Sequence, residues 1–393
     1  MTNRPTIRCS MTSITNMLIH SVIIVLSFVL TFFCVKDAQA DNRLRVLTWE
    51  GYVTQEDVGK VNALLKKQGY KYRVEIVSPY AQGADQMFDL IRAKQCDITF
   101  LTLFFIKMQK EKTAKLIQAI NIKSPRLTNY AHLYPNLIEL DMGMNSKNQP
   151  LYIPWGGGIY GFYINRNKVI EEQVPQSVNA LWLDKWKHKF SLNKSQEWYN
   201  LGLALMKQNL SPFSLYQALQ EEDRQRVRQI SDPKGQLQQE LSSLYSAAGD
   251  FWETAPKFHP DLLIVSSWGP DIYAENAKGA NWQLIDFKEG HMAWLDTINF
   301  VKGLEGRKLE AAEIFANYFI SKQVQTRVSR ELSMVPASKL APANTMLGDA
   351  MSILKENMFV PPYDHSSYEI MKKMTDKASK DAKQDVSQES ASH

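Results

Sequence analysis

Between Leu44 and Leu101 the hydrophobic period switches back and forth between that of a strand and that of a helix, and nothing else in the chain constrains the fold as much. Residues 44–47 read Leu-Arg-Val-Leu, a short alternating strand. Residues 55–68 place Val58, Val61, Leu64 and Leu65 at helical spacing. Residues 72–77 alternate again and are β-branched, residues 84–94 carry Met87, Leu90 and Ile91 on one helical face, and residues 97–101 form a compact apolar run suited to a buried parallel strand. Repeated strand–helix alternation predicts an α/β fold with parallel strands. Right-handed crossovers then bring the loops that follow those strands to one sheet edge, where ligands bind.

Further along, residues 151–153 and 161–164 read as strands on either side of a glycine-rich joint, followed by a polar, largely helical region over 197–248. Strands are expected again at 261–266 and 292–300, and 309–320 is an amphipathic helix with Ala312, Phe315, Ala316 and Phe319 on one face. From Lys377 the chain is Lys, Asp, Ser and Gln with almost no apolar content, which predicts a disordered tail over 377–393. At the other end, Arg4 and Arg8 precede an apolar stretch over 17–35 and the small-x-small triplet Ala38-Gln39-Ala40. This is the pattern of a cleaved signal peptide over 1–40, with an uncleaved anchor as the competing reading. Cleavage leaves 353 residues, enough for two domains, with a net charge of +3. So mild a charge gives no reason to expect nucleic acid as a partner. Cys9 and Cys34 leave with the leader, so Cys96 alone excludes an internal disulfide or a cysteine metal site.

Gly156-Gly157-Gly158-Ile159-Tyr160-Gly161 matches a dinucleotide fingerprint letter for letter. That site needs a helix to begin there, and Phe162-Tyr163-Ile164-Asn165 is strand-like instead. The glycines are therefore read as a flexible crossing between lobes. No nucleophile elbow, zinc-protease pair or P-loop is present, and His132, His188, His259, His291 and His365 lack metal-ligand spacing. A binder without catalytic residues, metal or cofactor is expected. Three tryptophans sit beside carboxylates: Trp49 with Glu50, Trp268 with Asp271, and Trp294 with Asp296. A lone tryptophan is usually core and a neighbouring acid usually solvated. Here each pair follows a strand or sits at a strand junction, where an α/β crevice draws its residues. Ring faces and carboxylates both attract positive charge, so the pattern suits an organic cation. None of these short motifs carries a lysine or arginine, so an anion does not suit it.

On these residues the chain resembles the bacterial periplasmic polyamine-binding proteins, the spermidine and putrescine receptors of ABC importers, over about residues 43 to 340. The family's Trp-x-x-Tyr is matched by Trp49 and Tyr52, with Glu50 in place of its acid at that turn. Its Asp-Leu-Val-Val-Pro-Ser segment is echoed by Asp97-Ile98-Thr99-Phe100-Leu101-Thr102, which makes Thr102 and Phe104 ligand positions. Its crossing segment is similar to residues 153–165 with Lys168-Val169, its Trp-x-x-Asp to Trp268 and Asp271, and its aromatic-x-Asp to Trp294 and Asp296. Met334 stands where the family often has a ligand tyrosine. Glu197 is the candidate for the carboxylate of the second lobe, against the equally plain reading of an acid in the first turn of a helix.

The resemblance implies a two-lobe periplasmic-binding-protein fold (type II). Lobe 1 would comprise 41–154 plus about 296–340, and lobe 2 about 155–295 plus 341–376, with crossings near Pro154 and Trp294. Ammonium groups would pair with Glu50, Asp271, Asp296 and Glu197 while Trp49, Tyr52, Trp268 and Trp294 cover methylenes. A periplasmic monomer that presents a bound polyamine to an inner-membrane ABC permease is the expectation. A norspermidine-type sensor that signals to a membrane receptor controlling cyclic di-GMP and biofilm formation is the alternative. Another organic cation such as thiamine comes third, and a periplasmic enzyme last.

Overall fold

The structure, a computed structural model, describes residues 42–108 and 113–391; the expected leader with Cys9 and Cys34 lies outside them. Strand β1 (Arg43–Leu47), helix α1 (Gln55–Lys67), β2 (Arg73–Ile76), α2 (Ala84–Arg92) and β3 (Ile98–Thr102) follow the alternation read from the sequence. Helix α1 begins where Thr54 and Asp57 form a reciprocal capping box, and Lys66 and Lys67 in its last turn complement the dipole. All five residues of β3 are buried, as a parallel strand covered on both faces must be. β1 and β3 pair in parallel, Val46 opposite Ile98, so both strands end at the same sheet edge.

The chain then runs through β4 (Ile153–Ile159) straight into β5 (Gly161–Asn165), with only Tyr160 between them. β4 belongs to a six-stranded sheet ordered β11-β4-β10-β3-β1-β2, where β10 is Ala293–Phe300 and β11 Val335–Pro336. β5 lies at the centre of a three-stranded sheet between β8 (Ile264–Ser267) and β9 (Trp282–Leu284). A parallel pair, β6 (Ser191–Asn193) and β7 (Asp250–Trp252), adjoins the smaller sheet through the Phe190–Ile264 bridge. These sheets are the cores of two lobes. β10 is antiparallel to both neighbours, with Asp296 opposite Thr102 on one side and Trp294 opposite Gly158 on the other.

Helices α3 (Glu197–Lys207), α4 (Gln236–Ala247) and α5 (Pro270–Ala277) accompany the smaller sheet, and α6 (Gly306–Phe319) and α7 (Lys322–Arg330) the larger one. Phe100 of β3 makes edge contacts with Trp155 at 5.2 Å and Phe319 at 5.7 Å, a knot of large buried rings under the larger sheet.

Two expectations fail. The glycine-rich joint is strand, not a flexible crossing, and every residue from Ile153 to Ile159 is buried. Close approach of β10 explains the composition: a Cβ on Gly157 would stand 2.5 Å from the Trp294 carbonyl oxygen. The tail expected to be disordered continues a long helix, α8 (His365–Ala391). Met371, Met374 and Ala378, spaced for one helical face, are fully or nearly buried. Gln238 of α4 donates to the Met374 carbonyl at 3.1 Å, and Ser242 donates to Asp381 at 2.6 Å. A narrow strip of small and flexible side chains is enough for a helix that lies on another, and mean composition cannot register it.

Candidate functional site

A cavity of about 490 Å³ opens where the two lobes face each other. The larger sheet's side of it comes from four places: the loop after β1 gives Trp49, Glu50 and Tyr52, and the end of β3 gives Thr102, Phe104 and Phe105. β10 gives Trp294 and Asp296, and the turn after α7 gives Glu331, Leu332 and Met334. The smaller sheet's side is Gln196, Trp198 and Tyr199 at the start of α3, with Trp268 after β8 and Pro270 at the start of α5. The lining holds three carboxylates and no lysine, arginine or histidine.

Asp296 is the centre of the charge distribution. Opposed in register to Thr102, it accepts a hydrogen bond from the Thr102 hydroxyl at 2.7 Å on Oδ1 and another from the Tyr52 hydroxyl on Oδ2. Its residue exposure is 4%. Among the described residues no cation lies within ion-pair distance of it. Burial pushes its pKa up to about 6, while the hydroxyls of Tyr52 and Thr102 hold it back from rising further. The same burial, with the Asp296 charge beside it, raises Tyr52 well above an ordinary phenol. An anion sheltered this way still has lone pairs to offer and lacks a counter-charge. Glu50 and Glu331 are exposed at the cavity's margin.

Tyr52 is fixed from two directions. Its ring packs on Trp155 at 4.3 Å. The Arg327 guanidinium donates to the carbonyls of Gly51 at 3.1 Å and Tyr52 at 2.7 Å and pairs with Asp57 at 2.8 Å. Gly51 itself has φ +81°, a left-handed turn residue that lets the loop fold back under β1. Rings from the two sides approach each other at Phe104 and Trp198, edge to face with centroids 6.0 Å apart. Trp268 is held edge-on by Trp252 at 4.8 Å.

Of the residues singled out from sequence, Trp49, Glu50, Tyr52, Thr102, Phe104, Trp268, Trp294, Asp296 and Met334 meet around this one cavity. Glu197 and Asp271 do not line it. Glu197, the first residue of α3, is buried towards α8, where the Tyr368 hydroxyl donates to it at 3.4 Å. Burial raises its pKa above that of an ordinary carboxylate. Asp271 lies in the first turn of α5, its carboxylate 3.4 Å from the Ser267 hydroxyl and likewise raised by burial. Each residue of a helix turns about 100° from the last, so a register right to within one position still points the acid elsewhere. Sequence reasoning missed Phe105, Gln196, Trp198, Tyr199, Pro270, Glu331 and Leu332. Trp198-Tyr199 beside Glu197 was a usable signal, because the ring pair rather than the acid faces the cleft. Glu331 and Leu332 carry no pattern.

Among the described residues no group of acidic, histidine or cysteine side chains could hold a metal ion, and no helix is long and apolar enough to cross a membrane. The profile of a family described as bacterial extracellular solute-binding protein matches residues 85–362. No curated protein sequence matches the chain. Solved structures with the same fold include the spermidine/putrescine ABC transporter substrate-binding protein PotD of Streptococcus pneumoniae, at TM-score 0.65 and 14% identity over 87% of this chain and 99% of that one. The TpPotD lipoprotein of Treponema pallidum is similar at TM-score 0.61 and 12% identity, over 86% and 99% of the two chains. A periplasmic thiamin binding protein follows at TM-score 0.53 and 15% identity, over 86% and 96%.

Proposed function

The chain belongs to the bacterial extracellular solute-binding proteins, and from that premise we propose that it is a periplasmic receptor for a polyamine of the spermidine, putrescine or norspermidine class. The ligand is held between the lobes and handed to an inner-membrane ABC permease. One observation carries the choice of ligand charge: Asp296 is buried at an aromatic-walled cavity with no counter-cation among the described residues. An ammonium beside it recovers the Coulomb energy that burial of a lone carboxylate forfeits. Trp49, Trp268, Trp294 and Tyr52 supply ring faces, each contact adding about 0.5–2 kcal/mol for a desolvated cation. Glu50 and Glu331 stand where further ammonium groups of a longer amine emerge towards solvent. That a structure of the same fold is named as a spermidine/putrescine ABC transporter substrate-binding protein agrees with this reading.

A second reading, a bulkier organic monocation, has one observation in its favour: with Glu197 and Asp271 off the wall, a single buried carboxylate serves the site. A thiamin binding protein shares the fold. The alternative of reporting to a membrane signalling receptor has no observation behind it and is not carried forward. Titration calorimetry of the purified protein against putrescine, spermidine, norspermidine and thiamine separates the two readings. Saturable heat at one site with a polyamine supports the first; heat with thiamine alone transfers the site to the second. No heat from any of the four at millimolar concentration refutes both.

A further inference from the structure

The glycines at 156–158, which match a nucleotide motif without the helix it needs, have no part in the reading above. Their parity in the strand gives them one. Gly158 stands opposite Trp294 and Gly156 opposite Asp296 in the antiparallel ladder. Directly opposed residues of such a pair point to the same face. The side chains missing at 156 and 158 therefore belong on the cavity face. A Cβ on Gly158 would lie 2.7 Å from Cζ2, 3.0 Å from Cε2 and 3.2 Å from Nε1 of the Trp294 indole. One on Gly156 would lie 2.8 Å from Val328 Cγ1 and 3.0 Å from Met334 Cε. Trp294 and Met334 both line the cavity, so two of its wall side chains lie where a neighbouring strand would ordinarily put its own. Gly157 faces the other way, towards the Trp294 carbonyl and Leu295.

We propose that Gly158 is a specificity-determining residue: by letting the Trp294 indole recess against β4, it sets the width of the cavity and hence the bulk of cation admitted. The proposal rests on this cavity being the cation site proposed above. Any other residue at 158 must drive the ring off the strand. Ordinary contact begins at 3.4 Å, against the 2.7 Å a Cβ would have, so the ring moves by most of an ångström. The sheet lies behind it, which leaves the cavity as the direction of movement. A slot narrowed in this way still passes a bare methylene chain. It penalises a cation with N-alkyl groups or a ring far more, since steric exclusion by one methyl-sized group is worth about tenfold or more in affinity.

The test compares Gly158→Ala with the parent by calorimetry, using putrescine as the thin cation and N,N-dimethylputrescine and thiamine as thick ones. The expected result is a loss about tenfold larger for whichever thick cations the parent binds than for putrescine. Phe lacks the benzo ring to which Cζ2, the nearest of the three atoms, belongs, so the double variant Gly158→Ala/Trp294→Phe is expected to regain the parent's ranking. It is also expected to regain thermal stability if the single variant loses it. Equal loss on thin and thick cations, or no loss, overturns the proposal. A parent protein that binds none of these cations, and neither spermidine nor norspermidine, refutes the proposed function instead. The recess is then decided by a crystal structure of Gly158→Ala, where an indole displaced towards the cavity upholds it and an unmoved one overturns it.

Discussion

Asp296 illustrates at the scale of one residue how a binding site can be poised by what it lacks. Folding raises its pKa from near 4 to about 6, chiefly by burial. The folded, ligand-free protein thus holds the proton more tightly than the unfolded chain does. Its stability falls as pH rises through the window from about 4 to about 6, by roughly 3 kcal/mol for a shift of two units, and is flat above. A bound ammonium favours the ionised form, so affinity moves the opposite way, rising through the same window and levelling off above it. Asp296→Asn should weaken cation binding about a hundredfold or more at pH 7 and abolish the pH dependence of Kd between 4 and 6. It should not lower Tm at pH 7, because a neutral amide is cheaper to bury. Retained affinity, or a collapse in Tm, would remove Asp296 from the role given to it. Tyr52→Phe deletes one of the two hydroxyls that hold the carboxyl down. Its binding curve should shift to higher pH, with a loss of about fivefold at pH 7 for one hydrogen bond. A curve with an unmoved midpoint would show that Tyr52 does not govern the ionisation. The tryptophan–carboxylate pattern brought this carboxylate out of the sequence, and the resemblance to the polyamine-binding proteins brought out its tyrosine. They were not enough for Glu197 and Asp271, whose orientation depends on the azimuth of a helix first turn rather than on any local pattern.

Elements bring those residues together, and here the loop Trp49–Tyr52 depends on α7. Arg327 binds two of the loop's carbonyls and the buried Asp57, which also accepts the Tyr318 hydroxyl at 3.0 Å. Its charge is neutralised by Asp57, so it orders the loop without adding positive charge to the cavity. Arg327→Met should lower both Tm and affinity, the latter by about tenfold, with Arg327→Lys recovering part of each. Reduced Tm with unchanged affinity would make Arg327 purely structural. The parallel unit β1–α1–β2–α2–β3 was legible to within two residues at each boundary, since a change of hydrophobic period marks each element. β4 and the end of α8 were not, for opposite reasons. β4 is strand despite three glycines because its neighbours need the space, and α8 is packed despite a polar composition because it buries a narrow strip that includes Met371, Met374 and Ala378. Ending the chain after residue 376 removes the buried Ala378 and the Asp381–Ser242 bond. Tm should drop by a few degrees, the shift that about 1–2 kcal/mol gives in a domain of this size. A neutral truncation would restore the expectation of a tail without structural weight.

Across the whole molecule, the cavity has no complete wall in either lobe alone. Tyr52, Thr102, Trp294 and Asp296 come with the larger sheet, and Trp198, Tyr199 and Trp268 with the smaller one. The chain passes between the sheets through Tyr160, returns through residues 285–292, and crosses again between β11 and α8, which packs on α4. A ligand that touches both walls favours the arrangement in which both are in reach, and only its differential contacts can shift that balance. At a concentration 100 times Kd such a ligand stabilises the protein by about 2.7 kcal/mol, so Tm should climb with the logarithm of ligand concentration. Amide hydrogen exchange then reports where the stabilisation falls. With saturating ligand, exchange should slow both at 49–52 and 331–334 and at 196–199 and 268–270, even though Asp296, the proposed anchor of the cation, lies on one side only. Protection confined to the first two segments would mean that the ligand rests on the larger lobe without engaging the other. A permease could not then distinguish loaded from empty protein by the disposition of its lobes, and presentation of a closed form would fail as the mode of delivery.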